Sequence, residues 1–248
     1  MTKQSKVKFT LPFALAIFTG AFLVFQIQPI IARLLLPSFG GTPSVWTTCM
    51  FFFQSGLLLG YLYAHGLVKF ATIKYQIIIH CFLLVFSLFL LPVLPVVPDS
   101  LQHLPQSLEI IQVLATSVGI PFVLLSSSSP LLQYWFGLVH PGQSPYRLYA
   151  LSNIGSLLAL LCYPVIVEPL FPLSLQTLFW SFGFILFIGL TFWCEWPLFK
   201  KSFIENPNIQ VNTDEIHKDS QLQPPSWIDR LVWLSLAAGG SVILLSVT

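Results

Sequence analysis

The chain has 248 residues, of which 55% are hydrophobic and 8% charged, and its mean hydropathy is +0.81. A soluble domain carries about 25% charged residues, so water is excluded as the main solvent of these side chains. The formal net charge of +2 is divided among eleven basic and nine acidic residues, which leaves no strongly basic face for nucleic acid.

Lys3, Lys6 and Lys8 open the chain and precede an apolar run that reaches Ala32 without a charge. That run is too long for the core of a secretory signal and contains no A-x-A cleavage pattern, so it is expected to remain as a membrane helix. Charged residues then divide the sequence into intervals, six of which reach the roughly 20 residues needed to cross the hydrocarbon core. The predicted fold is an all-α polytopic membrane helix bundle with six complete transmembrane helices and a truncated seventh. Residues 1–8 are read as a cytoplasmic N-terminus and residues 9–196 as the six-helix bundle, with helices at about 11–34, 44–69, 75–97, 108–136, 146–168 and 172–195.

Turn chemistry sets these limits. Pro37 to Pro43 reads as a loop, with Thr42 as N-cap and Pro43 as first helical residue. Gly137, Pro141 and Gly142 end the fourth helix near Phe136. Residues 197–226 change to a mixed-charge stretch with Asn, Gln and Pro, a flexible cytoplasmic linker, and residues 227–248 run apolar to the last residue as the start of a seventh span. An apolar helix with no flanking anchor on its far side gives the expectation of a truncated chain.

With the N-terminus in the cytoplasm, Lys3, Lys6, Lys8, Lys69, Lys74, Arg147, Lys200, Lys201, Lys218 and Arg230 fall inside and Arg33 alone falls outside. This asymmetry matches the positive-inside rule, and the opposite orientation inverts it.

Polar residues within the spans are the next clue, because in lipid each needs a protein partner or a cavity. The candidate intramembrane cluster is Gln26, Gln28, Gln54, His65, Ser128, Gln133 and Asn153. Interhelical bonding is the commoner use of such groups, and a solute path the sharper one. Ser126 to Ser129 precede Pro130, whose missing N–H predicts a kink with the hydroxyls covering freed carbonyls, and Pro121 predicts a second.

Gly56, Gly60 and Ala64 form a small-residue stripe for close helix packing, and Ser152 and Ser156 repeat the device on helix five. Packing within the chain is the commoner outcome; an oligomer through the Gly56/Gly60 face is the alternative. Arg33 and Glu168 both fall near the external boundary, where snorkelling to the interface competes with pairing. Glu168 and Glu195 are read at helix ends, leaving no acidic residue at mid-membrane. Cys49, Cys81, Cys162 and Cys194 lie in apolar stretches without metal-ligand spacing and read as small buried hydrophobes. No G-x-S-x-G, H-E-x-x-H, P-loop or dinucleotide fingerprint is present, so no catalytic, cofactor-binding or metal-binding residue is assigned and no cofactor is expected.

Three early segments, Phe25 to Pro37, Gly40 to Gln54 and Gly60 to His65, together with Ser129 to Trp135, Tyr146 to Ala159, Tyr163-Pro164 and Glu168-Pro169, carry a family resemblance. In this order they resemble the membrane-embedded N-terminal region of the bacterial fused MFS/spermidine synthase proteins. The resemblance implies a bacterial inner-membrane protein whose bundle is followed by further helices and a cytoplasmic spermidine synthase-like domain. The glycine-rich loop and catalytic acid of that domain are not in this sequence, so aminopropyl transfer is carried over to no residue. The loop Gly66 to Lys74 also lacks the acidic and paired basic residues of the major-facilitator signature.

The chain is thus expected to serve as a membrane anchor or scaffold, and in the alternative as a small-solute transporter resembling half of a major facilitator. Its expected partners are the lipid bilayer and downstream helices or a spermidine synthase-like domain. A polyamine cargo is disfavoured by the expected lack of acidic residues at mid-membrane.

Overall fold

The computed structural model describes residues 3–95, 105–140, 143, 146–200 and 226–247. It divides into two units, Met1–Pro207 and Asn208–Thr248. Every regular element among the described residues is helical. The first unit contains α1 (Lys3–Phe39), α2 (Pro43–Phe70), α3 (Ile73–Ser87, extended by a 3₁₀ turn at Leu88–Leu90), α4 (Gln106–Val139), α5 (Tyr146–Leu170) and α6 (Leu173–Lys200). All six are long and apolar enough to cross a membrane. Their outer faces carry exposed Leu58, Leu62, Phe82, Phe89, Leu161 and Phe182, apolar surface that water would not tolerate on this scale. The chain is a multi-pass membrane protein. The second unit contains α7 (Trp227–Val247), opened by a reciprocal Ser226–Asp229 cap.

Several boundaries differ from the sequence reading, for local reasons. The first helix runs through Pro37 to Phe39 and stops at Gly40, which takes φ +75° and donates its N–H to Leu36 O at 2.9 Å. The stop is a glycine in the left-handed conformation, not the proline. Thr42 is the N-cap of α2 with Pro43 following, as expected, although its side chain makes no capping bond. The third helix ends at Leu90 rather than residue 97, because Pro92 and Pro95 supply no N–H to continue it.

The fourth helix starts at Gln106 and continues to Val139, closed by His140 N–H on Phe136 O at 2.9 Å. Its irregularity is a π turn at Ala115–Gly119, just before Pro121. There Thr116 and Ser117 hydroxyls donate to Gln112 and Val113 carbonyls, at 3.0 and 2.7 Å. A second π turn at Tyr163–Val167 accommodates Pro164 in α5, which extends to Leu170. The serines before Pro130 do not cover the carbonyl that the proline frees: Ser126 donates to Phe122 O, and Ser127 and Ser128 donate to Leu124 O. The sixth helix passes through Pro197 to Lys200, into the stretch expected as linker, and residues 201–225 of that stretch lie outside the described residues.

The bundle is organised around α1, which packs on α4, α5 and α6, while α2 packs on α4 and α3 meets α4 and α6. The buried apolar side chains form two clusters. One holds Leu23 to Phe39 of α1 with Phe53, Leu84, Phe122, Trp180 and Phe184; the other holds Phe13 to Ile17 with Ala64, Ile77, Leu131, Trp135, Cys194 and Leu198. The buried residues between them are small or polar, among them Gly20, Gly60, His80, Ser126 to Ser128 and Thr191. A polar layer therefore crosses the middle of an otherwise apolar core.

Close approach explains the glycines of that layer. A Cβ on Gly60 would lie 2.6 Å from Ser126 Cβ and 2.9 Å from Val123 O, and one on Gly56 would lie 2.8 Å from the Phe122 ring. Gly56 and Gly60 are thus covered by α4, which is the packing within the chain expected as the commoner outcome for this stripe. Gly155 meets α1 in the same way, with Phe18 O 2.8 Å from its Cβ position.

Candidate functional site: a polar cavity in the bundle

A cavity of about 410 Å³ lies against this polar layer. Its floor is made by Gly20, Ala21 and Val24 of α1 and by Ser126, Ser128, Ser129 and Gln133 of α4. Ser152, Asn153 and Ser156 of α5 form one wall, and Leu57 and Tyr61 of α2 the other. The mouth carries Tyr61 and Tyr149, both more than half exposed. None of its lining residues carries a charge.

The small residues on α1 make the space, and Pro130 releases α4 from regular bonding beside it. The polar groups form a chain across the α4–α5 seam. Gln133 Nε2 donates to Ser129 Oγ at 3.1 Å, Ser129 and Ser152 hydroxyls approach to 3.5 Å, and Ser156 Oγ donates to Ser152 O at 3.0 Å. Hydroxyls and amides pointing into a low-dielectric space can offer donors and acceptors to an uncharged polar molecule, and the volume lies within the range of small-molecule sites.

Behind the wall, His80 of α3 is fully buried. Its Nδ1 lies 3.5 Å from Tyr63 Oη and its Nε2 lies 3.3 Å from Ser128 Oγ, while Ser128 donates to Leu124 O at 2.6 Å. One tautomer satisfies all three contacts: the Tyr63 hydroxyl donates to Nδ1, Nε2–H donates to Ser128, and Ser128 donates onward. The next residue, Cys81, donates its thiol to Glu195 Oε2 of α6. Glu195 is 2% exposed, and its Oε1 has no hydrogen-bond partner.

Of the seven residues proposed as an intramembrane cluster, Ser128, Gln133 and Asn153 line the cavity. Gln26 is buried on α1 but outside the lining, with Oε1 unpartnered, and Gln28 donates to Val24 O of its own helix at 3.2 Å. Gln54 and His65 lie on the exposed face of α2 and belong to no cluster. Ser152 and Ser156, expected as packing residues, prove to be cavity lining as well.

Glu195, expected as a helix-end residue, is buried within the bundle where it meets Cys81 of α3, and α6 runs five residues beyond it. Cys81 is correspondingly a hydrogen-bond donor rather than only a small hydrophobe, whereas Cys49 and Cys194 are buried as expected and all four thiols are free. Arg33 and Glu168 do pair, at 3.2 Å. His80 was missed by the sequence reading, although an ionisable residue in the middle of an apolar span was the signal for it; Glu195 was read only as a helix-end residue. Comparison with protein-family models, with curated proteins and with solved structures finds no match for this chain.

Proposed function

We propose that this chain is a membrane module that binds a small, uncharged polar solute within its bundle and passes it across the bilayer. The observation that supports this most directly is the hydroxyl- and amide-lined cavity of about 410 Å³ at the level of the polar layer. Uncharged lining favours a neutral or zwitterionic solute over a polycation such as a polyamine. We further propose a bacterial inner-membrane location with the N-terminus in the cytoplasm. The first rests on the resemblance to the fused MFS/spermidine synthase proteins, the second on ten of eleven lysines and arginines falling on one side. An anchoring role for a downstream catalytic domain rests on the resemblance alone, and no observation of the cavity favours it.

Reconstitution into liposomes and uptake of a panel of neutral, anionic and cationic labelled solutes tests the reading. Saturable uptake of a neutral polar solute, reduced by Gln133→Ala and by Asn153→Ala, is expected. Uptake of none of the panel would leave the anchor, and uptake indifferent to both substitutions would mean that the solute passes elsewhere.

A further inference from the structure

The Glu195–Cys81 contact lies outside the cavity yet is joined to it through one turn of α3. Cys81 faces α6, and His80, its neighbour in sequence, faces α2 and α4, where it meets Ser128 of the cavity wall. Glu195 lies on α6 between Cys194 and Leu198, members of the apolar cluster to which α1, α2, α3 and α4 also contribute, and its partner Cys81 packs against that cluster. The titratable groups around it are Cys81 on α3, Tyr63 on α2, Cys194 beside it on α6, and His80 one residue from Cys81. From α1 and α4 the cluster receives Phe13, Ile17 and Leu132, and Lys74 is two turns below Cys81 on α3. No basic side chain pairs with Glu195 among the described residues. A carboxylate with one thiol donor and one bare oxygen in such a setting is far costlier than the neutral acid. A protein surface with water or a cation to satisfy Oε1 would reverse that preference.

We propose that Glu195 is an intramembrane proton-binding site, and that its occupancy is coupled to solute binding through the His80–Cys81 turn of α3. The carboxylate takes one proton from water to become the acid while α6 is packed on α3. Release returns that proton to water, with no electron transfer and only the O–H bond broken. Ionisation disfavours the packed α3–α6 contact, and any shift of α3 moves His80 against Ser128 on the cavity wall. The coupling rests on the solute-binding reading; the proton site does not.

Infrared difference spectra of the full chain in lipid, recorded from neutral pH upward where exposed carboxyls are already ionised, test the site itself. The wild type is expected to lose a carboxylic-acid C=O band as the pH rises. Glu195→Gln is expected to lack that band, and Cys81→Ala to shift its frequency by removing the thiol donor. Absence of the band from the wild type, or its persistence in Glu195→Gln, overturns the proton site. For the coupling, an inward proton gradient is expected to raise uptake of a transported panel solute severalfold in the wild type and not in Glu195→Gln. Wild-type uptake indifferent to the gradient overturns the coupling alone. Failure of every solute removes the solute reading and the coupling with it, and the infrared band still decides the proton site.

Discussion

The Arg33 guanidinium lies 3.2 Å from the Glu168 carboxylate, tying α1 to the residue that follows the π turn of α5. The two side chains are 38% and 44% exposed, so water and salt reach the pair. A double-mutant cycle with Arg33→Ala and Glu168→Ala, read by unfolding in detergent, should give a coupling of about 0.2–1 kcal/mol that falls with added salt. A larger coupling that salt leaves unchanged would mean that lipid shields the pair from solvent.

Gly60→Ala should lower stability by about 1–3 kcal/mol, because its Cβ would overlap Ser126 Cβ and Val123 O of α4. Gly66→Ala on the same helix meets nothing within 4 Å and should be neutral or stabilising by up to about 1 kcal/mol. Thermal unfolding of the two variants side by side separates packing from propensity. Equal effects would contradict the α2–α4 contact.

Trp135 donates its indole N–H to Gln76 Oε1 at 3.0 Å, and Gln76 donates back to Ala71 O at 2.8 Å. Both side chains are buried. Gln76→Leu strands the indole donor and should cost about 1–3 kcal/mol. Adding Trp135→Phe should recover part of that loss, a non-additivity that chemical denaturation can measure.

Gln133→Leu removes the donor to Ser129 Oγ at the cavity floor. If the cavity holds solute, affinity should fall by about tenfold, the equivalent of one hydrogen bond, while melting temperature changes little. Calorimetry with a solute identified in the uptake panel provides the number, and unchanged affinity would remove Gln133 from the site.

Asp229 opens α7 with its Oδ2 accepting from both the hydroxyl and the N–H of Ser226, each at 2.8 Å. These bonds, the hydroxyl first, hold its carboxyl below the usual carboxylate value. For a depressed acid the capping contribution is present above the unfolded value and fades as pH falls through the folded one. Carboxyl NMR of the full chain should report that low midpoint, and Ser226→Ala should raise it toward the ordinary range.

The fold class was legible because lipid demands long uncharged helices, and charge spacing alone locates them. Boundaries were less so wherever proline was taken as a stop. Pro37 and Pro197 lie inside helices, and the true terminator of α1 is Gly40, whose left-handed backbone a sequence marks only by residue type. The cavity was half legible. Ser128, Gln133 and Asn153 were found from polarity, but Gln54 and His65 share that polarity and lie on the outer face, since composition does not say which way a helix is turned. The burial of Glu195 was missed for a related reason: its place near the end of a span does not say that its side chain turns toward α3. The Ser226-x-x-Asp229 spacing was a readable helix start that the apolar run after it overshadowed.

The wide turn at Ala115–Gly119 gives α4 two phases along a single axis. An α-helix advances about 100° per residue, so winding the same residues as a regular α-helix, without the wide turn that absorbs one extra residue, would rotate everything downstream by roughly that angle. Ser126 to Ser129 would swing from the cavity toward a neighbouring helix, and apolar side chains would take their place. The aim of the whole serine run is set by a loop of backbone seven residues upstream that touches none of it.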